Sequence, residues 1–393
     1  MTDLPATMKA VVFHGPRKIA VEDRPVPKLQ DPKDVIVKVQ YTALCGSELH
    51  VYRGHQPSPT GFIMGHEFVG TVVQAGDQVK SVSLGDTVVA PFTVSCMDCF
   101  YCTHGASSRC TNSLLFGCEA LDGGQAEYVR VPHADGTVVK APAELAAAPK
   151  GKGGGGGDDD NDGDDKDEDE DEDGNEEDGR RRALVLMADI FPTGFFGAKN
   201  AFGLLREQGQ PAGEAVVVVV GCGPVGLCAI VSALERGPRR LFAVDSVPSR
   251  LERARALGAE PLNFLGEGGV EAVLRTVREA TDGRGADAVI EVVGLSPALR
   301  TAFDLVRPFG VISSIGVHNA EIPWSGDEAY SKNLRLQMGR CPVRSIFPEA
   351  LPVLVKNQDK FSFMFDKIMP LSKAAEGYDL FDQMKVQKVI FKP

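Results

Sequence analysis

Five consecutive valines, at positions 216–220, constrain the fold of this 393-residue chain more than any other feature. A strand made only of β-branched residues is typical of a parallel sheet that is covered on both faces. Gly221, Gly223 and Gly226 follow in a G-x-G-x-x-G pattern, and residues 225–235 have the composition of a helix. This strand, turn and helix predict a nucleotide-binding βαβ unit, in which the helix N-terminus binds a pyrophosphate.

The three glycines have different predicted roles. Gly221 allows the tight turn, Gly223 lets a pyrophosphate approach the backbone, and Gly226 lets helix and strand pack closely. Asp245 ends the next strand, where a carboxylate can bind both ribose hydroxyls and repel a 2′-phosphate. NAD is therefore favoured over NADP, although Arg250 lies near enough in the sequence to keep NADP open. We also assign to the cofactor site Pro224, Val225, Thr193, Val293 and Gly316.

Helical and extended patterns alternate through the second half of the chain. Helices are predicted at 250–257, 269–280 and 297–306, and strands at 241–245, 286–293, 310–317 and 334–338. Such alternation indicates a doubly wound parallel sheet. The first half instead has short β-branched runs between Gly and Pro turns, which predict a small irregular β barrel. Its strands are predicted at 8–14, 34–42, 68–74, 87–90, 124–131 and 137–140.

Four cysteines lie within fifteen residues, in the pattern C-x2-C-x2-C-x7-C. Four thiolates in one short loop can complete a tetrahedral zinc shell with no open position, which is typical of a structural site. The loop therefore predicts a structural zinc ion; its ligands are Cys96, Cys99, Cys102 and Cys110.

A second candidate metal site lies between residues 45 and 67. Cys45 begins the run C-G-S-E-L-H, and His66 is the centre of a G-H-E triplet about twenty residues later. A thiolate and an imidazole are two of the three protein ligands that a catalytic zinc ion usually takes. Ser47 and His50 follow Cys45 closely enough to carry a proton at such a site.

The formal charge of the chain is concentrated in one segment. Residues 151–182 contain 16 acidic and 5 basic side chains, so they carry −11 of the total charge of −12. No apolar side chain occurs between Gly151 and Arg182, and we predict an acidic disordered insertion over 150–182. An acidic interaction segment is the alternative. The remainder is nearly neutral, which argues against nucleic-acid binding.

The composition predicts an intracellular protein. No apolar run approaches the roughly 20 residues of a membrane span, and the N-terminus lacks a signal-peptide pattern. The nine cysteines are odd in number and partly clustered, which favours metal binding over disulfides. We therefore expect a cytoplasmic location and no membrane partner.

Together, C-G-S-E-L-H, G-H-E, the four-cysteine loop and the glycine fingerprint resemble the zinc-dependent medium-chain dehydrogenase/reductase superfamily, the alcohol dehydrogenases. The segments A-D-I-F-P-T-G and S-K-N-L-R-L-Q-M-G-R-C-P-V-R are similar to its formaldehyde-dehydrogenase-like branch. The resemblance covers nearly the whole chain outside the acidic segment. It implies a GroES-like catalytic domain over 1–149, 183–190 and 340–393, and a Rossmann domain over 191–339.

The resemblance also implies a ligand set for the catalytic zinc. Cys45 and His66 match two ligand positions, and Asp189 stands where many relatives have a cysteine. Glu67 is the competing third ligand, since some polyol-dehydrogenase relatives use the residue beside the histidine. We favour Asp189. Glu48 occupies a position where relatives often have aspartate, and we attach no strong consequence to it.

The implied activity is oxidation of a small or medium alcohol, or a hydrated aldehyde, with NAD and two zinc ions per chain. Ser47 would take the alcohol proton and pass it through the nicotinamide ribose to His50 and water. We place an apolar substrate pocket at Phe92, Phe116, Phe195 and Phe196. One alternative is a zinc polyol or threonine-type dehydrogenase, and another is an inactive NAD-binding interaction protein. The resemblance also implies a homodimer or homotetramer.

Overall fold

The computed structural model describes residues 4–142, 145 and 182–393. The predicted insertion, apart from Arg182, lies outside the described residues. In the described residues, nine strands form the two sheets built from both ends of the chain, and six form the sheet between them. In chain order the first seven strands are β1 (Thr7–Gly15), β2 (Lys18–Pro25), β3 (Val35–Leu44), β4 (Glu67–Ala75), β5 (Thr87–Ala90), β6 (Tyr128–Val131) and β7 (Val139–Lys140).

The next six strands form a parallel sheet, and the last two return to the first part. They are β8 (Val216–Val220), β9 (Arg240–Asp245), β10 (Glu260–Asn263), β11 (Ala286–Glu291), β12 (Val306–Ser314), β13 (Arg335–Met338), β14 (Ile368–Pro370) and β15 (Val389–Lys392). The parallel sheet has the order β10-β9-β8-β11-β12-β13, with the five-valine strand near its centre. This order confirms the predicted doubly wound sheet. All five valines are buried, because helices cover both faces.

The other large sheet has the order β14-β15-β3-β4-β5-β7, with β6 paired to β3. Strands β1 and β2 form a separate antiparallel hairpin. We did not predict β2, because Pro25 and the charged residues of this segment resemble a turn. Its side chains are mostly half-exposed, so a strong apolar pattern is not needed there. The predicted strand-rich first half is confirmed.

Eleven helices are present in the described residues. They are α1 (Gly46–Tyr52), α2 (Phe100–Thr103), α3 (Ala134–Thr137), α4 (Ile190–Glu207), α5 (Pro224–Leu234), α6 (Pro248–Ala256), α7 (Gly269–Glu279), α8 (Ser296–Leu305), α9 (Gly326–Lys332), α10 (Val343–Asn357) and α11 (Ala374–Asp382). Short 3-10 helices lie at Ser107–Arg109, Leu184–Ala188, Ala212–Glu214, Gln358–Phe365 and Leu371–Lys373. In the described part of the chain, no helix has the length and hydropathy needed to cross a bilayer.

Helix α10 was not predicted from the sequence. Pro348 and Pro352 interrupt its pattern, yet the helix continues through both prolines. It packs on α4, and α4 in turn packs on α5 and on the parallel sheet. One apolar cluster therefore runs from Val69 of β4 through Phe191 of α4 to Val217 of β8. The domain boundaries at 190 and 340 stay a prediction.

Candidate active site

Antiparallel pairing of β3 and β4 brings Cys45 and His66 together. Cys45 directly follows β3, His66 directly precedes β4, and Ala43 lies opposite Glu67 in the register. Gly65, with a φ of 102°, makes the turn into His66; a side chain there would also meet Gln125. The pairing places residues about twenty positions apart in sequence side by side.

Asp189 completes a compact set of donors. It separates the 3-10 helix Leu184–Ala188 from α4, and its Oδ2 lies 3.6 Å from Cys45 Sγ and 3.4 Å from His66 Nε2. One donor atom from each of Cys45, His66, Glu67 and Asp189 lies within 4.8 Å of the others. A thiolate, an imidazole and a carboxylate fit a catalytic zinc ion that keeps one coordination position for substrate.

Glu67 differs from the other donors because it already has a charged partner. Its carboxylate forms an ion pair with Lys388, and neither side chain is exposed. Lys388 Nζ also donates to the carbonyl of Leu44 at 3.2 Å. Glu67 Oε1 has no hydrogen-bond partner in the described structure. Glu67 can therefore offer one oxygen to the cluster, but its charge is neutralised by Lys388.

Glu48 contacts two of the donor residues, Cys45 and His66. Its Oε2 accepts a hydrogen bond from Cys45 N at 2.9 Å, and its Oε1 lies 3.5 Å from His66 Nδ1. A carboxylate in this place orients the imidazole and raises its basicity as a ligand. We gave Glu48 no role from the sequence. The signal that could have found it is its position three residues after Cys45, where a glutamate commonly binds the backbone N–H of the helix N-cap.

The electrostatics favour a cation among these donors. Burial raises the pKa of the Cys45 thiol, and the Glu67 and Asp189 carboxylates raise it further. Burial opposes protonation of His66, but Glu48, Cys45 and Asp189 outweigh it and raise the pKa of His66 well above its usual range. The negative groups thus stabilise positive charge at the centre of the cluster, and a divalent metal ion supplies such charge.

Ser47 and His50 lie on α1, beside the donors. Ser47 Oγ is 3.3 Å from Cys45 Sγ and 3.4 Å from His66 Nε2, so the hydroxyl borders the space between them. His50 is half-buried one turn further along the same face of the helix. Burial, aided by His55 and Arg53, lowers the pKa of His50 below that of an ordinary histidine. Both side chains are partly exposed.

The four-cysteine loop folds into a second donor cluster. The four Sγ atoms lie within 4.8 Å of one another, and Cys96 Sγ is 3.5 Å from Cys110 Sγ. Backbone N–H groups of Cys96 and Asn112 donate to Cys110 Sγ at 3.3 Å. Backbone N–H groups of Cys102 and Thr111 lower the pKa of Cys99 to about 6, which favours its thiolate. This closed sulfur set fits a structural zinc ion.

The glycine fingerprint has the geometry of a phosphate-binding turn. Gly221 has a φ of 99°, and a Cβ on Gly226 would lie 1.9 Å from Gly221 O, so helix and strand contact at van der Waals distance. A Cβ on Gly223 would meet no atom within 4 Å, which leaves open space over the backbone at the N-terminus of α5. Pro224 and Val225 form the first turn of this helix. These residues fit a dinucleotide.

Asp245 ends β9 beside this turn. Its carboxylate accepts hydrogen bonds from Cys222 N at 2.7 Å, Ser246 N at 2.7 Å and Val247 N at 2.9 Å. It therefore holds the glycine turn against the loop that leads into α6. Arg250 lies on the first turn of α6 and is partly exposed.

The other assigned cofactor residues lie in two places. Val293 follows β11, which pairs with β8, and Gly316 follows β12, the next strand of the sheet. A Cβ on Gly221 would meet the Val293 side chain at 2.7 Å. Thr193 instead lies at the donor cluster, where its hydroxyl donates to Asp189 Oδ1 at 2.7 Å. Thr193 therefore orients the carboxylate of Asp189.

Glu291 is a second residue that sequence reasoning missed. It is buried at the end of β11; Oε1 accepts from Val293 N and Gly294 N at 2.7 Å, and Oε2 accepts from Ser314 Oγ at 2.7 Å. It therefore fixes the loop that borders the glycine turn. A carboxylate near the end of the apolar run A-D-A-V-I-E-V-V was the available signal, since buried acids need partners.

The proposed pocket phenylalanines do not all lie at the site. The Phe92 ring is 6.2 Å from the His66 ring, whereas Phe116 packs edge-on against Phe68 inside the β-sheet core. Phe195 lies under the guanidinium of Arg236, and Phe196 is half-buried on α4. Of the four predicted pocket residues, Phe92 therefore has a ring contact with a donor residue.

Comparison with known proteins agrees with this geometry. Residues 31–143 match the family model of the alcohol dehydrogenase GroES-like domain, and residues 224–356 match that of the zinc-binding dehydrogenases. Zinc-type alcohol dehydrogenase B of Aspergillus flavus is 60% identical over 98% of this chain and 81% of its own length. The alcohol dehydrogenase TADH from Thermus sp. ATN1 has 33% identity and a TM-score of 0.80, covering 98% of this chain and 99% of its own.

The resemblance to the formaldehyde-dehydrogenase-like branch is also supported. A formaldehyde dismutase of Pseudomonas putida is 29% identical over 98% of this chain and 97% of its own length. The predicted GroES-like and Rossmann parts are confirmed by the family models and by the fold. The chain therefore belongs to the zinc-type alcohol dehydrogenases of the medium-chain dehydrogenase/reductase superfamily.

Proposed function

We propose that this protein oxidises a small or medium alcohol, or a hydrated aldehyde, by hydride transfer to NAD. The observation that carries the proposal is the convergence of Cys45, His66 and Asp189 within 4.8 Å, with the Ser47 hydroxyl beside them. The formaldehyde dismutase among its relatives supports a hydrated aldehyde as a substrate class.

Each residue has a defined part in this reaction. Cys45, His66 and Asp189 hold the zinc ion, and Glu48 and Thr193 orient two of these ligands. When bound, zinc polarises the substrate oxygen and NAD accepts the hydride. Ser47 Oγ takes the hydroxyl proton of the substrate, and His50 carries it on to water. Phe92 gives the site an apolar wall.

NAD is the proposed dinucleotide, bound at Gly221, Gly223 and Gly226. The carboxylate of Asp245 lies at the end of β9, where it repels the 2′-phosphate of NADP. The Cys96 to Cys110 loop binds the second zinc ion, and this ion stabilises the fold of the loop. We further propose a homodimer or homotetramer, and a cytoplasmic location that suits nine free cysteines.

The direct test is NADH formation, followed by near-ultraviolet absorbance, with primary alcohols, hydrated formaldehyde, polyols and threonine. Each substrate is assayed with and without a strong zinc chelator. Chelator-sensitive oxidation of primary alcohols or hydrated formaldehyde is the expected result. Preference for sorbitol or threonine would favour a polyol or threonine-type dehydrogenase instead. Protein that binds NADH but holds no zinc at Cys45 would favour an inactive NAD-binding interaction protein.

A further inference from the structure

A buried polar chain connects the donor cluster to the C-terminal helix α11. Tyr378 OH donates to Gln125 Oε1 at 2.9 Å, and Gln125 Nε2 donates to Glu48 Oε2 at 3.3 Å. Gln125 and Tyr378 are fully buried, and Glu48 is 5% exposed. Buried amides and hydroxyls need hydrogen-bond partners, and here each side chain provides one for the next.

The donor and acceptor orientation of these hydrogen bonds follows from the chemistry of the groups. Glu48 Oε2 already accepts the backbone N–H of Cys45, and Gln125 turns its NH2 group toward the same oxygen. Its carbonyl oxygen then needs a donor on the other side, and the Tyr378 hydroxyl is that donor. Tyr378 thereby selects the amide orientation in which Gln125 supports Glu48.

The backbone of Gln125 is equally constrained. Gln125 N donates to Met64 O at 2.9 Å, and a Cβ on Gly65 would lie 2.5 Å from Gln125 N. Gln125 is therefore packed against the residue that precedes His66. It contacts the segment before His66 through its backbone, and the Glu48 carboxylate through its side chain.

We propose that Gln125 and Tyr378 are positioning residues for the catalytic zinc site, acting through Glu48 on Cys45 and His66. This inference rests on the proposed function, because it assumes that Cys45, His66 and Asp189 bind zinc. Gln125 holds Glu48 so that one carboxylate oxygen receives Cys45 N while the other faces His66 Nδ1. Without this support, Glu48 loses one of its two donors, and its other oxygen is no longer held 3.5 Å from His66 Nδ1.

The experiment measures zinc release to a chromophoric chelator. The release phase of the catalytic site is the one that disappears in an Asp189→Ala variant. We expect Gln125→Met, which keeps the side-chain length, to accelerate this phase by about tenfold or more, within the range observed when outer partners of metal ligands are removed. Tyr378→Phe, which removes one oxygen atom, is expected to accelerate it severalfold.

Tyr52→Phe is the matched control. The Tyr52 ring is 5.1 Å from the Tyr378 ring, but its hydroxyl donates to Asp379 rather than to Gln125. This variant removes the phenolic oxygen from the other ring of the same aromatic pair. It should release zinc at the wild-type rate. Equal acceleration in Tyr52→Phe and Tyr378→Phe would overturn the proposal.

A double variant separates positioning from simple stabilisation. Gln125→Met with Tyr378→Phe removes both partners of one hydrogen bond, so no polar group is orphaned between them. We expect its urea midpoint to recover relative to the Gln125→Met single variant, while its zinc release stays as fast. Recovery of both the urea midpoint and the zinc-release rate in the double variant would refute positioning. A wild-type release rate in Gln125→Met would refute it too. Wild-type protein without zinc at this site would instead refute the proposed function itself.

Discussion

Lys388 and Glu67 form an ion pair in which neither side chain is accessible to solvent. The pair joins β4, which begins at the donor cluster, to the segment just before β15. Lys388→Met leaves the Glu67 carboxylate buried and unpaired, and should lower the free energy of unfolding by about 3–5 kcal/mol. Urea unfolding of the chelator-treated protein measures this loss.

Two further variants control this prediction. Adding Glu67→Gln to Lys388→Met removes the second charge and should restore most of the lost stability. Lys388→Arg keeps the charge and should be milder. Equal stability of Lys388→Met and the wild type would show that the pair does not stabilise the fold.

The third zinc ligand can be identified by metal content. Asp189 Oδ2 faces both Cys45 and His66, whereas Glu67 is neutralised by Lys388. We expect Asp189→Ala to lose one zinc ion per chain after dialysis, and Glu67→Gln to keep both. Atomic absorption measures the content. The reverse pattern would assign the ligand to Glu67.

Removal of the Ser47 hydroxyl should slow the chemical step. Ser47→Ala removes the group that takes the substrate proton, and we expect kcat to fall by about 10²–10⁴-fold. The dissociation constant of NADH should change little, because Ser47 lies at the donor cluster and not at the glycine turn. Ser47→Thr keeps a hydroxyl and serves as the control. An unchanged kcat in Ser47→Ala would exclude the relay.

The pH dependence should report His50. Burial lowers the pKa of His50 below its usual range, which favours the neutral ring that can accept a proton. Activity that depends on this group is present above its pKa and is lost as the pH falls through it. In His50→Gln, we expect the fall in kcat/KM on the acid side of the pH profile to lose this component. An identical profile in both proteins would indicate a passive surface histidine.

Asp245 should control the choice of dinucleotide. Asp245→Ser removes the charge that repels a 2′-phosphate, and we expect the ratio of kcat/KM for NAD to that for NADP to fall about tenfold, or about 1.4 kcal/mol. Asp245→Glu keeps the charge and should retain the preference. A ratio that does not change in the serine variant would place the discrimination elsewhere, with Arg250 as the next residue to test.

The sequence by itself determined the features that depend on local spacing. The five valines and three glycines predict a strand, a turn and a helix because each glycine meets a local backbone requirement, and the structure has all three. The four cysteines converge because they lie in one short loop. Both patterns are complete within about fifteen residues, so neither depends on the remainder of the fold.

Only the tertiary structure decided which distant residues meet. Glu48 reaches Gln125, and Gln125 reaches Tyr378, across separations of 77 and 253 residues, and Lys388 pairs with Glu67 across 321. A single glutamine, tyrosine or lysine carries no periodic signal, and each resembles an ordinary surface or core residue in the sequence. Their roles arise from strand pairing and from the packing of α11 behind the donor cluster. There, burial forces every polar atom to find a partner.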